Sequence, residues 1–330
     1  RVLQREVAVK ILRTDQGHDE EYRERLLREA RAVARLVHPH IISVHDVGTV
    51  GDTVYIVMER LIGCTVGDLL DDGPLDMTLA LEIGCQVASA LELAHVLGVI
   101  HRDIKPDNLY LVDTAIGTLT KLLDFSVART SWATESKRLT GRDTMFGTPT
   151  YMAPEQASGD AMGPQSDLYS LGVVLYQAVV GHPPFDEETI VGVLDMHLNA
   201  PIPLIAEAID DPPIGLSELV GRMMAKSPRD RPETAAEVRD QLAAMLESML
   251  ERRVRSWLST APDGDTSEYA PLGVLLGGKG RPRQSRRRPR TTNVLSAMAG
   301  EAELAALDGP TTPNARRQRR TTKPAGSERT

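Results

Sequence analysis

The chain has 330 residues, of which 41% are hydrophobic and 4% aromatic, with a formal net charge of −8. That composition excludes an intrinsically disordered chain and asks for a core of Leu, Val, Ile, Met and Ala. The two cysteines, Cys64 and Cys85, exclude a disulfide framework and read as small buried hydrophobes in a reducing, cytoplasmic setting.

Charge is unevenly spread. Residues 256–330 hold 13 Lys/Arg and 7 Asp/Glu; taken from the whole-chain 38 and 46, this leaves 25 and 39 for the rest, an acidic body of −14 with a tail of +6. No secretory signal is expected, and the most apolar helical run, Leu168 to Val180, is too short to span a bilayer.

In chain order, Glu6 to Leu12 is β-branched and apolar around Lys10, which predicts a strand. From Asp19 to Val37 the pattern is helical, with Leu26, Ala30, Val33 and Val37 on one stripe and Glu29 at its edge. Two strands follow, Ile41–Val50 and Thr53–Arg60, joined by a Gly51-Asp52 turn. Met77–Leu97 reads as a long helix ending near Gly98. Strands Leu109–Val112 and Leu119–Leu123 bracket a turn at Gly117, and residues 125–150 read as a long loop of the kind that carries function. Ser166–Val180 is apolar nearly all round and reads as a buried central helix. Helical patterns over Leu216–Ala225 and Thr234–Leu250 complete the globular part. After Trp257 the composition turns to Pro, Gly, Arg, Thr and Ser, which predicts a disordered tail.

The chemistry is concentrated in His101-Arg102-Asp103-Ile104-Lys105-Pro106-Asp107-Asn108, followed by Asp124-Phe125-Ser126 and Ala153-Pro154-Glu155. Taken singly these residues are ordinary: Lys10 an edge-strand charge, Glu29 a solvated helix residue, Asp124 and Asn108 turn formers, Asp167 a helix cap. In this order and at these spacings the chain resembles the protein kinase superfamily, along residues 1 to about 250. Together with Gly147 to Gln156, the wording is most similar to bacterial Ser/Thr kinases.

That resemblance implies an α+β, two-lobed protein-kinase fold: a small β-rich lobe over residues 1–61, a large helical lobe over 62–250, and a basic tail over 251–330. It implies a kinase that uses ATP and Mg2+ on Ser/Thr hydroxyls of proteins, its own among them. Asp103 would orient the accepting hydroxyl and Lys105 would offset charge on the transferring group. Asn108 and Asp124 would hold the metal, a hard cation that prefers oxygen. Lys10 would bind phosphates and pair with Glu29. Met58, Glu59, Arg60 and Leu61 match the hinge beside adenine, with Met58 at the back of the pocket. Thr148 would lie beside the substrate. Asp167 would bond to the catalytic loop, and Glu155 and Arg231 would form a buried ion pair. Arg102 implies control by phosphorylation of the loop, with Thr140 and Thr144 as candidate acceptors and Ser136 weaker.

Two departures stand out. No Gly-x-Gly-x-x-Gly segment precedes Lys10, so the first two strands of the small lobe are expected to be missing and ATP affinity to be weak. Ser126 replaces the glycine of Asp-Phe-Gly, which narrows the backbone angles open to that turn. A non-catalytic scaffold of the same fold, or an inactive fragment, is the alternative. The basic runs Arg281–Arg290 and Arg316–Arg320 read as a solvated tail open to acidic partners, with no firm nucleic-acid or membrane signal.

Overall fold

In the computed structural model, which describes residues 5–12, 20–51, 53–115, 117–125 and 149–260, the first strand β1 (Val7–Leu12) has alternating burial along its length. Period-two alternation puts Ala8, Lys10 and Leu12 on the covered face and leaves Val7, Val9 and Ile11 exposed. With β2 (Val44–Val50) and β3 (Thr53–Glu59) it forms a three-stranded antiparallel sheet in the order β1-β3-β2.

Helix α1 (Glu20–Val33) covers this sheet. Its stripe residues Leu26 and Ala30 pack on Val54 and Ile56 of β3 in a small separate core, which Leu12, Val44, Val47 and Met58 extend. The stripe stops at Val33, short of the predicted Val37, which is 87% exposed. The helix closes in i→i−3 turns, the Arg35 amide donating to the Ala32 carbonyl at 3.2 Å and the Leu36 amide to the Val33 carbonyl at 2.9 Å. Leu36 then turns into the larger core instead.

β2 likewise starts three residues later than the pattern predicts. Ile41 forms a parallel bridge with Leu122, the Ile42 amide donates to the Leu122 carbonyl at 3.1 Å, and the Leu122 amide donates to His40 at 2.9 Å. This segment belongs to the second sheet's environment and ties the two sheets together.

The second sheet has the order β4-β5-β6, from β4 (Cys64–Thr65), β5 (Leu109–Thr114) and β6 (Gly117–Leu122). Around it stand α2 (Val66–Leu70), α3 (Met77–Val96), α4 (Pro154–Ser158), α5 (Pro164–Val180), α6 (Ile190–Asn199), α7 (Ile205–Ala208), α8 (Leu216–Met223) and α9 (Ala235–Thr260). Among the described residues α3 alone is long and apolar enough to cross a membrane, yet its Leu81, Ile83, Val87 and Leu91 are buried in the large core. α5 is buried nearly all round, as its composition predicts.

Close helix approach relies on small residues. A Cβ at Gly84 of α3 would meet Leu242 of α9 at 2.8 Å, and one at Gly172 of α5 would meet Met223 of α8 at 2.8 Å. α9 runs ten residues beyond the predicted Leu250. Glu251, Arg252 and residues 254–256 are exposed and include an Arg255–Glu251 pair at 2.9 Å, so no apolar period marks them.

Candidate active site

The loop from His101 to Asn108 is fastened before it is functional. Asp167 lies in the first turn of α5, and it does not cap that helix. Its carboxylate is 1% exposed and accepts from the His101 amide at 2.9 Å and the Arg102 amide at 2.8 Å. His95 Nε2 stands 2.8 Å from the same group. From the other side Gln156 Nε2 donates to the Arg102 carbonyl at 3.1 Å. Together these hold Arg102 at φ 67°, a left-handed conformation that costs a side-chain-bearing residue about 1–3 kcal/mol.

His101 is fully buried and connects this loop to the next motif. Its Nδ1 accepts from the Asp103 amide at 3.2 Å, while Nε2 donates to the Leu123 carbonyl at 2.6 Å. The two bonds fix the neutral Nε2–H tautomer, and burial lowers the imidazole's pKa in the same sense. Its ring also packs on Phe125 with centroids 4.6 Å apart. The β5–β6 register pairs Leu109 with Leu122, and the Leu123 amide then donates to the Asn108 carbonyl at 2.8 Å. Hairpin pairing thus sets Asn108 beside the residue that precedes Asp124.

The side chains converge accordingly. Asn108 Nδ2 donates to the Asp103 carbonyl at 2.7 Å and to its Oδ2 at 3.0 Å, which leaves the amide oxygen as the acceptor that faces elsewhere. Lys105 Nζ is 3.6 Å from Asp103 Oδ2. Asp124, held at φ 49°, forms an ion pair with Lys10 across 2.8 Å. That contact joins a strand of the first sheet to the end of the second. Glu29, the partner implied for Lys10, is half-buried on α1 beside Ala30; the ion pair seen for Lys10 is with Asp124. Among the described residues no group of three or more His, Cys, Asp or Glu gathers to hold a metal. One carboxylate and one amide oxygen could hold a hard cation that draws its other ligands from outside the protein.

Residues 2–254 match the family model described as "Protein kinase domain". The chain belongs to the protein kinase family. This kinase is 39% identical over 246 residues to the serine/threonine-protein kinase PknB of Mycobacterium leprae (strain TN), covering 73% of this chain and 39% of that protein. It is 35% identical over 319 residues to PknB of Mycolicibacterium smegmatis, covering 92% of this chain and 49% of that one. It therefore spans less than half the length of these curated relatives. Among solved structures, the Mycobacterium tuberculosis PknI kinase domain aligns with a TM-score of 0.56 at 28% identity, covering 72% of this chain and 85% of that one. The small β-sheet lobe and helical lobe described above are those of the family.

At the expected hinge of the kinase, Met58 is half-buried and packs into the small-lobe core. The Glu59 amide donates to the Ser43 carbonyl at 2.9 Å, and the Glu59 carboxylate accepts from the Ser43 amide at 2.7 Å and from Lys121 Nζ at 2.8 Å. Desolvation raises the Glu59 carboxyl, but the Lys121 and Ser43 bonds together outweigh it and hold the group below its ordinary value. Both of these side-chain bonds fall on Oε1, and the amide is engaged as well. Among the described residues no backbone hydrogen bond engages Leu61, which is half-buried.

Glu155 and Arg231 form the buried pair that the resemblance implies. Arg231 Nη1 and Nη2 meet the two carboxylate oxygens at 2.7 and 2.8 Å, and Ser166 Oγ donates to Glu155 at 2.6 Å. The remaining guanidinium hydrogens reach the carbonyls of Ala225, Gln165 and Lys226 at 2.8, 2.9 and 3.1 Å. Ser126, Ser136, Thr140, Thr144, Thr148 and the tail lie outside the described residues. The sequence reading passed over Lys121, His95 and Gln156. Their partners lie 62, 72 and 54 residues away, and no local pattern signals such contacts.

Proposed function

We propose that this chain transfers the γ-phosphoryl group of ATP to Ser or Thr hydroxyls of proteins, with Mg2+ as cofactor. The observation that carries the reading is the joint placement of Asp103, Lys105 and Asn108 on one loop with the Lys10–Asp124 pair at its edge. Asp124 and the Asn108 amide oxygen would hold the metal, and Lys10 the nucleotide phosphates. When bound, the metal supplies charge neutralisation at the phosphates. Asp103 orients the hydroxyl and takes its proton as the new oxygen–phosphorus bond forms and the bond to the departing diphosphate breaks. Lys105 offsets the negative charge spread over the group in flight.

Regulation by phosphorylation in the 126–148 segment belongs to the same proposal, with Thr140 and Thr144 as acceptors. Its support is Arg102, whose Nε is buried and without a hydrogen-bond partner among the described residues. A phosphate would supply one. A cytoplasmic setting is also part of the reading, supported by the two free thiols.

The test is phosphate transfer from radiolabelled ATP to the chain itself and to a basic carrier protein. Transfer that falls at least about 100-fold in Asp103→Ala supports the reading. A folded chain with no activity, or one indifferent to that substitution, overturns it in favour of a scaffold.

A further inference from the structure

The strip from Pro149 to Gln156 runs beside the catalytic loop and is fastened along its length. At its far end Gln156 bonds the Arg102 carbonyl at 3.1 Å, one residue before Asp103. In its middle Ser170 Oγ donates to the Tyr151 carbonyl and Tyr151 Oη donates to Gln177, each at 2.7 Å. The Tyr151 hydroxyl is pushed up to about 12 by burial and, secondarily, by the field of Asp107 on the catalytic loop. Its leading end has a different anchor. The Thr150 carbonyl is met at 3.0 Å by Nε2 of His197, a residue of α6 that is fully buried.

We propose that His197 is a positioning residue for the protein substrate, holding the Thr150 end of this strip in register with Asp103. The inference rests on the kinase reading above and adds a residue that touches neither nucleotide nor transferring group.

The wiring around His197 is specific. Tyr169 Oη donates to Nδ1 at 2.8 Å, so the other nitrogen carries the proton that goes to Thr150. Burial, then the nearby Lys226 ammonium, push the imidazole down to about 4, so it stays neutral and keeps that tautomer at working pH. The Phe185 ring stands edge-on, with centroids 5.0 Å apart. Lys226 lies over the same ring at 4.3 Å and donates to the Met196 and His197 carbonyls at 2.9 and 2.8 Å, fixing the backbone from which the imidazole projects. Side-chain orientation, tautomer and backbone position are each held by a separate contact. A core histidine that only filled space would need none of the three.

The experiment uses the full chain with His197→Phe, which keeps volume and deletes both bonds, and His197→Gln, which keeps a donor. For His197→Phe the expected result is a rise of about 5–10-fold in KM for a Ser/Thr peptide, the effect on the strip of losing the bond to Thr150, with KM for ATP unchanged. Amide exchange at residues 149–152 should quicken by a similar factor, and His197→Gln should recover most of both. Unchanged peptide KM and exchange in a folded His197→Phe protein overturn the proposal. So do equal effects on ATP and peptide, or equal effects of Phe and Gln. Should His197→Phe fail to fold, Tyr169→Phe carries the test: it frees the ring without removing it, and an unshifted peptide KM and exchange rate overturn the idea. A wild-type chain that transfers no phosphate sinks the kinase reading, while the exchange rates still decide whether His197 holds the strip.

Discussion

Lys121 of β6 donates to Glu59 of β3 across 2.8 Å, and the two belong to different sheets. The ammonium side chain is 10% exposed and the carboxylate 26%, so this is neither a surface pair nor a fully desolvated one. Lys121→Met should cost about 1–2 kcal/mol, in the range for a charged hydrogen bond shared with solvent, lowering the melting temperature by a few degrees. Because the folded Glu59 is held below its ordinary 4.5, its contribution is complete above that pH and fades as acid carries the solution through the folded value. Thermal melts of the variant from pH 7 to 3 should show a shallower acid loss than wild type. Parallel curves would mean the pair contributes nothing.

Arg231 and Glu155 present the opposite balance. Their side chains are 0% and 7% exposed, and removing one strands the other. Arg231→Ala should destabilise the chain by about 3–5 kcal/mol in urea unfolding, and Arg231→Leu combined with Glu155→Leu should cost less than that single change. Burial raises the Glu155 carboxyl, but Arg231 and Ser166 outweigh it and leave a net lowering. Stability from this pair is therefore fully present above 4.5 and lost below it as pH falls through the folded value.

Asp167 holds two adjacent amides of the catalytic loop, so its loss should reach activity and stability together. Asp167→Asn keeps the size but turns an N–H towards donors. We expect at least about 2 kcal/mol of destabilisation. Phosphate transfer should also fall in the fraction that remains folded, as Arg102 relaxes from φ 67°. Activity normalised to folded protein separates the two effects; a normalised rate equal to wild type would mean the clamp serves folding alone.

Gly63 tolerates no side chain. A Cβ there would stand 1.8 Å from the Leu111 carbonyl oxygen, in the strand that pairs with Cys64. Gly63→Ala should cost about 1–3 kcal/mol, since the neighbour is backbone and cannot swing aside. Urea midpoints measure this directly, and an unchanged midpoint would show that the β4–β5 pairing yields easily.

The convergence of Asp103, Lys105 and Asn108 was legible because they fall within six residues of one loop, while the roles given to them come from the resemblance to protein kinases. Asp167 had two plausible readings, helix cap or loop clamp, and only the packing of α5 against the loop decides between them. Lys121 could not be read at all. A lysine on a strand normally faces water, and nothing in its neighbours announces a carboxylate 62 positions earlier. His197 was missed for the same reason, its contacts reaching 28 and 47 residues back. Element ends failed where periodicity is silent, at the turns closing α9, and at Val37, where tight turns at Arg35 and Leu36 end α1 before the apolar stripe does.

Lys10 and Asp124 remain 33% and 44% exposed, and an ion pair so open to water contributes little free energy of its own. Each charge nevertheless satisfies the other. On the proposed reading, phosphates claim the ammonium and a divalent ion claims the carboxylate. At these exposures the charge left behind by either guest is taken up by water, so the pair opens at little cost. It keeps the two charges face to face until metal and nucleotide divide them.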